Sequence, residues 1–267
     1  MDVLTPPPTV QLDGLHVRYG RVHAVRGLTF SAAPGEVLGL VGGNGAGKSS
    51  TMKALAGTLP VTEGTLKIAG HDMATAAGSE RARLVTGFCP DVGGLARQAT
   101  IREHIGLALA FRSRLDLWPY ALEITERLDL HRHLDRPTAG FSHGMSRRLS
   151  VLLASIVADK LLILDEPFDG VDPLGVETTL QLICTASEAG VTVLISTHLL
   201  ELVVESATRV VVMARGRSIY EADSETLQGD LGRVRYRDLL AAAEREAVAL
   251  EETAAAGDLR SAALSIR

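Results

Sequence analysis

The segment Gly42-Gly43-Asn44-Gly45-Ala46-Gly47-Lys48-Ser49-Ser50 packs four glycines, a lysine and two serines into one short run. Glycines let a backbone curl so that successive N–H groups point into one concavity, which suits anionic oxygens. A helix beginning at Gly47 would add about half a positive charge at its N-terminus. Gly42-xxxx-Gly47-Lys48-Ser49 fits the phosphate-binding loop pattern. In that pattern Lys48 reaches the outer phosphates and the Ser49 hydroxyl ligates Mg²⁺. The plain alternative is a flexible turn, since loops collect glycine. The context argues against it, because the apolar run Val37–Val41 precedes the loop and a helical stretch, Lys48–Leu59, follows it.

A second constellation is Leu161-Leu162-Ile163-Leu164-Asp165-Glu166, an apolar strand delivering two adjacent carboxylates. By itself it would be a solvated strand end. Beside a phosphate loop, Asp165 is placed to hold Mg²⁺ and Glu166 to polarise the attacking water.

Phe141-Ser142-His143-Gly144-Met145, upstream of that acidic strand, adds the discriminating piece. With it the chain resembles an ABC-type ATPase subunit, of the branch whose membrane partner is of the ABC-2 exporter type. Ser142 and Gly144 match the family signature; Phe141, His143 and Met145 depart from it. The resemblance implies that Ser142 and the Gly144 N–H face the γ-phosphate held by a second subunit, so that two ATP molecules lie between two subunits. It implies that Tyr19 stacks on adenine and that Gly170-Val171-Asp172 touches the opposite subunit. It also implies that His198, ending the strand before Leu199, contacts the γ-phosphate. The family places glutamine after Gly87-Phe88-Cys89-Pro90, and here Asp91 stands there. Aspartate can still bind Mg²⁺ but lacks an N–H donor. His143 reads as an incidental histidine.

The resemblance implies a Mg²⁺-dependent ATPase that powers transport through a separate ABC-2-like membrane permease, whose short helix would dock near 91–103. It implies a dimer, homomeric or heteromeric, at the cytoplasmic face of the membrane. Through the Ser142-His143-Gly144-Met145 form and Leu199-Leu200-Glu201-Leu202, the resemblance implies export rather than import. Two rival readings keep the fold: a soluble ABC ATPase driving an assembly or nucleic-acid process, and a nucleotide-sensing module with weak turnover. A single module and net negative charge count against the first, and an intact Glu166 against the second.

These residues need a scaffold. Short β-like runs at Val10–Tyr19, Gly27–Ala32 and Glu36–Val41 precede the loop, with Pro34-Gly35 as a turn. Thr65–Ala69, Leu84–Pro90, Val191–Ser196 and Val210–Met213 look like further strands, and Met145–Ala158 like a helix. Thr100-Ile101-Arg102-Glu103 fits a capping box opening a helix. The expected fold is α/β: a P-loop core with a parallel sheet, an antiparallel β subdomain and a helical insertion at about 95–150. The expected organisation is an extended leader at 1–9, an ATPase domain at 10–228 and a helical extension at 229–267. Within the extension Tyr236–Thr253 reads as an amphipathic helix, with Leu239, Leu240, Ala243, Ala247 and Leu250 on one face.

Composition bounds the rest. The 267 residues are 46% hydrophobic but only 4% aromatic, so the core is aliphatic. Formal charge is −5 and only four of the 27 cationic side chains are lysine, which argues against nucleic acid as partner. No run of eighteen apolar residues occurs; Asp159 and Lys160 interrupt the best stretch, Leu149–Leu164. The N-terminus lacks a signal-peptide pattern, and Cys89 and Cys184 form no CxxC motif. Together these predict a reduced, cytoplasmic chain.

Overall fold

The computed structural model describes residues 6–245. Two long strands come first, β1 (Val10–Tyr19) and β2 (Val22–Ala32), joined by a turn at Gly20-Arg21. A short apolar strand, β3 (Val37–Val41), leads into the glycine loop and then α1 (Lys48–Leu55). β4 (Glu63–Ile68) and β5 (His71–Asp72) follow, then α2 (Ala76–Leu84) and β6 (Thr86–Cys89). The helical insertion comprises α3 (Ile101–Phe111), α4 (Trp118–Arg127) and the start of α5 (His143–Val157). The chain then alternates β7 (Leu161–Asp165), α6 (Pro173–Glu188), β8 (Thr192–Thr197), α7 (Leu200–Ser206) and β9 (Arg209–Ala214). β10 (Arg217–Asp223) turns back antiparallel, and α8 runs over 229–245.

β2-β1-β4-β5 form an antiparallel sheet. The second sheet has the order β10-β9-β3-β8-β7-β6, parallel except for β10. β3 sits centrally between β9 and β8, so the glycine loop emerges mid-sheet. Every residue of β3, β7 and β8 is buried, as expected for parallel strands covered on both faces. The period-two alternation divides each strand between two cores. On β7, Leu162 and Leu164 join the core shared with the helical insertion. Leu161 and Ile163 join the core shared with α1 and the antiparallel sheet. Close approach is built in at Gly39, where an added Cβ would lie 2.0 Å from Cγ1 of Val203 on α7.

Several boundaries differ from the expected ones. β2 begins at Val22, not Gly27. α1 stops at Leu55, four residues before Leu59, because Gly57 adopts φ 68° and closes a Schellman turn. Gly57 N–H donates to Ala54 O at 3.0 Å and Thr58 N–H to Lys53 O at 2.9 Å. α5 starts at His143, so Ser142 itself is the N-cap, its Oγ accepting from Met145 N–H at 3.2 Å. The Thr100–Glu103 capping box is present as expected. α8 begins at 229, ahead of Tyr236; Tyr236 and Leu240 pack on the core while Ala247, Leu250 and Thr253 lie outside the described residues. The segment of the expected leader within the described residues, Pro6 to Pro8, has no regular structure. Among the described residues no helix is long and apolar enough to cross a membrane. Cys89 is buried and Cys184 exposed, and neither is disulfide-bonded.

Candidate functional site

The C-terminal ends of β3, β6, β7 and β8 meet at one cavity of about 740 Å³, as ligand sites do in open parallel sheets. Asn44 to Ser50 form its floor, and Tyr19, Asp91, Glu166 and His198 line its walls. Gly47 adopts φ 102°, which only glycine takes easily, and an added Cβ would lie 2.6 Å from Ala24 O. Gly216 N–H donates to Ala46 O at 2.8 Å, so the β9–β10 turn braces the loop from behind.

Lys48 is 6% exposed. Its Nζ donates to the carbonyls of Gly42 at 2.8 Å and Gly43 at 3.3 Å. The same ammonium lies 3.7 Å from Glu166 Oε1. The lysine is thus folded over the loop, with its charge between the Gly42 and Gly43 carbonyls and Glu166.

Asp165 is fully buried at the end of β7. Its Oδ1 accepts from Ser49 Oγ at 3.1 Å and from Ser196 Oγ on β8. Its Oδ2 is buried with no hydrogen-bond partner among the described residues. Burial pushes the Asp165 carboxyl above the usual range, the Ser196 and Ser49 hydroxyls pull against that, and Asp91 and Glu166 add a smaller upward push. A buried, unsatisfied carboxylate oxygen beside a serine hydroxyl suits a hard cation with oxygen ligands. The residues present therefore fit Mg²⁺.

Glu166 occupies the left-handed region at φ 49°, unusual for a side chain of this kind. Its N–H donates to Ser196 O at 2.9 Å, and its carbonyl accepts from Asp169 N–H at 3.3 Å. That bend turns the carboxylate from the strand axis into the cavity, where Oε2 lies 3.1 Å from His198 Nδ1.

Tyr19 is 42% exposed on the cavity rim, a flat face available for stacking. Asp91 also lines the cavity, but its Oδ1 accepts from Arg147 at 3.2 Å. Ser142 and Gly144 lie at the start of α5, outside the cavity lining. His143 Nε2 pairs with Asp169 Oδ2 at 3.1 Å, with both side chains exposed. Ser196 and Arg147 escaped the sequence reading. Ser196 sits one residue before Thr197-His198 in an apolar strand, so its hydroxyl carried a signal. Arg147, in a helix start rich in arginine, carried none.

Comparison with known proteins agrees with this geometry. A family model described as "ABC transporter" matches residues 25–169. The chain is 32% identical over 254 residues to the daunorubicin/doxorubicin resistance ATP-binding protein DrrA of Streptomyces peucetius, covering 90% of this chain and 74% of that protein. It is 31% identical over 228 residues to the Nod factor export ATP-binding protein I of Ralstonia nicotianae, covering 82% and 68%. It is 33% identical over 205 residues to human ATP-binding cassette sub-family A member 2, covering 75% of this chain but 8% of that much longer protein. Among solved structures, an ATP-binding subunit of an ABC transporter superposes with TM-score 0.80 at 27% identity, covering 86% of this chain and 99% of the other. A dimeric bacterial ABC transporter cassette shares the fold, with TM-score 0.75 at 21% identity over 83% of this chain and 100% of the other.

Proposed function

The chain belongs to the ABC transporter family of ATP-binding proteins, and from that premise we propose that it hydrolyses ATP to drive export through a separate membrane protein. The observation that carries the reading is the convergence of Lys48, Glu166 and His198 on one cavity floored by the glycine loop, with the buried Asp165 accepting from Ser49 of its lining.

The backbone N–H groups from Asn44 to Ser50 and the start of α1 cradle the phosphates, and Lys48 meets the outer ones. Tyr19 stacks on the base. Ser49 and Asp165 would hold Mg²⁺, which would supply positive charge beside the phosphate oxygens. Glu166 takes the proton of the attacking water. His198 fixes the Glu166 carboxylate through the 3.1 Å contact and contacts the γ-phosphate. Ser142 and the Gly144 N–H, outside the lining of their own chain's cavity, serve the phosphate of a second subunit. Two such chains, identical or related, then share two sites. Within this reading 10–228 is the ATPase domain and 229–267 an extension.

The similarity to DrrA and to the Nod factor export protein supports export over import. The permease partner, its ABC-2 type and attachment to the cytoplasmic face of the membrane are part of the same proposal. The decisive experiment is phosphate release from ATP by the purified chain, with and without magnesium, alone and with its membrane partner. Magnesium-dependent turnover is the expected result; no ATP binding and no turnover under either condition would sink the reading.

A further inference from the structure

Asp91, Glu166 and Asp169 line the cavity, and Asp165 is buried behind Ser49, close enough to feel the charges of Asp91 and Glu166. Lys48 faces Glu166 at 3.7 Å, and Arg147 faces Asp91 at 3.2 Å. Arg147 stands in the first turns of α5 and is 4% exposed. Its Nη1 donates to the carbonyl oxygens of Pro90 at 2.7 Å and Asp165 at 3.3 Å. Its Nη2 donates to the carbonyl and to Oδ1 of Asp91. One guanidinium therefore ties the ends of two adjacent parallel strands, β6 and β7, to the helix capped by Ser142.

We propose that Arg147 is a positioning residue for ATP hydrolysis, acting through Asp91 and through the strand end that presents Asp165. The proposal rests on the reading of this cavity as an ATP site. A buried guanidinium needs both a countercharge and several acceptors. Asp91 supplies the charge, and the three carbonyls supply the acceptors. Arg147 spends its Nη donors on Pro90, Asp165 and Asp91. Its planar fork reaches two strand ends at once, which the point charge of lysine cannot do. The pair fixes where the main chain of Asp165 sits relative to α5, and hence where its carboxylate would meet a cation. It also engages the Asp91 carboxylate, so this acid stands at the site as half of an ion pair and not as a lone negative charge.

The test uses the full chain and the variants Arg147→Lys, Asp91→Ala and both together. Thermal melting reports folding. Calorimetry measures ATP-analogue affinity with and without magnesium, and steady-state kinetics separates kcat from KM. In Arg147→Lys we expect kcat to fall about tenfold, with magnesium-free nucleotide affinity within about twofold of wild type. The gain in affinity that magnesium confers should shrink by a similar factor. The double variant should be no worse than the poorer single one, because the two residues act as a unit. A folded Arg147→Lys chain with wild-type kcat and magnesium response overturns the proposal, as do fully additive losses. If Arg147→Lys does not fold, Asp91→Ala decides alone: an unchanged magnesium response overturns it. Failure of the wild-type chain to bind ATP overturns the parent reading too, whereas normal wild-type turnover with unaffected variants removes only the role of Arg147.

Discussion

Glu166 holds His198 with one carboxylate oxygen and faces Lys48 with the other: Oε2 lies 3.1 Å from His198 Nδ1, and Oε1 lies 3.7 Å from Lys48 Nζ. The proposed base is thus fixed from both sides before any substrate enters. Because it touches both Lys48, proposed to meet the phosphates, and the strand-end histidine, its removal should damage chemistry far more than binding. Glu166→Gln is expected to lower kcat by about 10²- to 10⁴-fold while ATP still binds. Filter-trapped nucleotide and size-exclusion chromatography check it: retained ATP with a stabilised paired species is expected. Turnover near wild type would remove Glu166 from the mechanism.

Asp165 makes a prediction about pH. Its folded-state pKa is raised, chiefly by burial. A raised acid favours folding while protonated and loses that advantage as pH climbs from the ordinary aspartate value of about 3.9 through the folded value. The unliganded protein should therefore gain stability from Asp165→Asn at neutral pH. The gain should vanish at acid pH, where both side chains are neutral. Melting curves of the two proteins across pH test this, and a neutral-pH loss of stability in the variant would contradict it. The same variant should lose the extra stabilisation that magnesium gives to the nucleotide-bound form.

Tyr19 stands exposed on the rim, so its removal should cost contact with the base and little else. Stacking beyond area burial contributes about 0.5–1.5 kcal/mol. Tyr19→Ala should weaken ATP binding by roughly threefold to tenfold with kcat at saturation unchanged, and Tyr19→Trp should restore it. A fluorescent-nucleotide titration settles the matter, and equal affinity in the alanine variant would refute the stacking role.

The helical insertion can be tested for stability alone. Thr100 Oγ1 accepts from Glu103 N–H at 3.2 Å, and Glu103 Oε2 accepts from Thr100 N–H at 2.8 Å. Thr100→Ala should cost about 1 kcal/mol, read as a lowered denaturation midpoint with an unchanged m-value. No change would mean that α3 is held by its buried face of Ile101, Ile105 and Leu109 rather than by its cap.

Much of this could be read from residue order. β3, the glycine loop and β7 carry signals in which local pattern and chemistry coincide: an apolar run, then glycines or paired acids. The Thr100 cap was legible for the same reason. α2 was not, because its apolar content is poor and only Gly78 and Ala82 are buried along it. β10 was missed because, as a sheet edge, it lacks a fully buried run. The extent of α1 turned on the left-handed conformation of Gly57, a stop that a window of helix-forming residues hides. Within the site, Lys48, Asp165 and Glu166 were singled out by motif and His198 through the family resemblance, and the structure brings them to one place. Arg147 could not, since its importance lies in bonds to main-chain carbonyls, which any sequence possesses.

The division of β7 between two cores has a mechanical corollary. Alternate side chains of one five-residue strand are clamped by opposite halves of the molecule, and that strand ends in Asp165. A packing defect in either layer, even one distant from the nucleotide, would slacken the same anchor point. Cavity-forming substitutions at Ile163 and at Leu164, though they face away from each other, should therefore produce one shared symptom: a cation that is gripped less firmly.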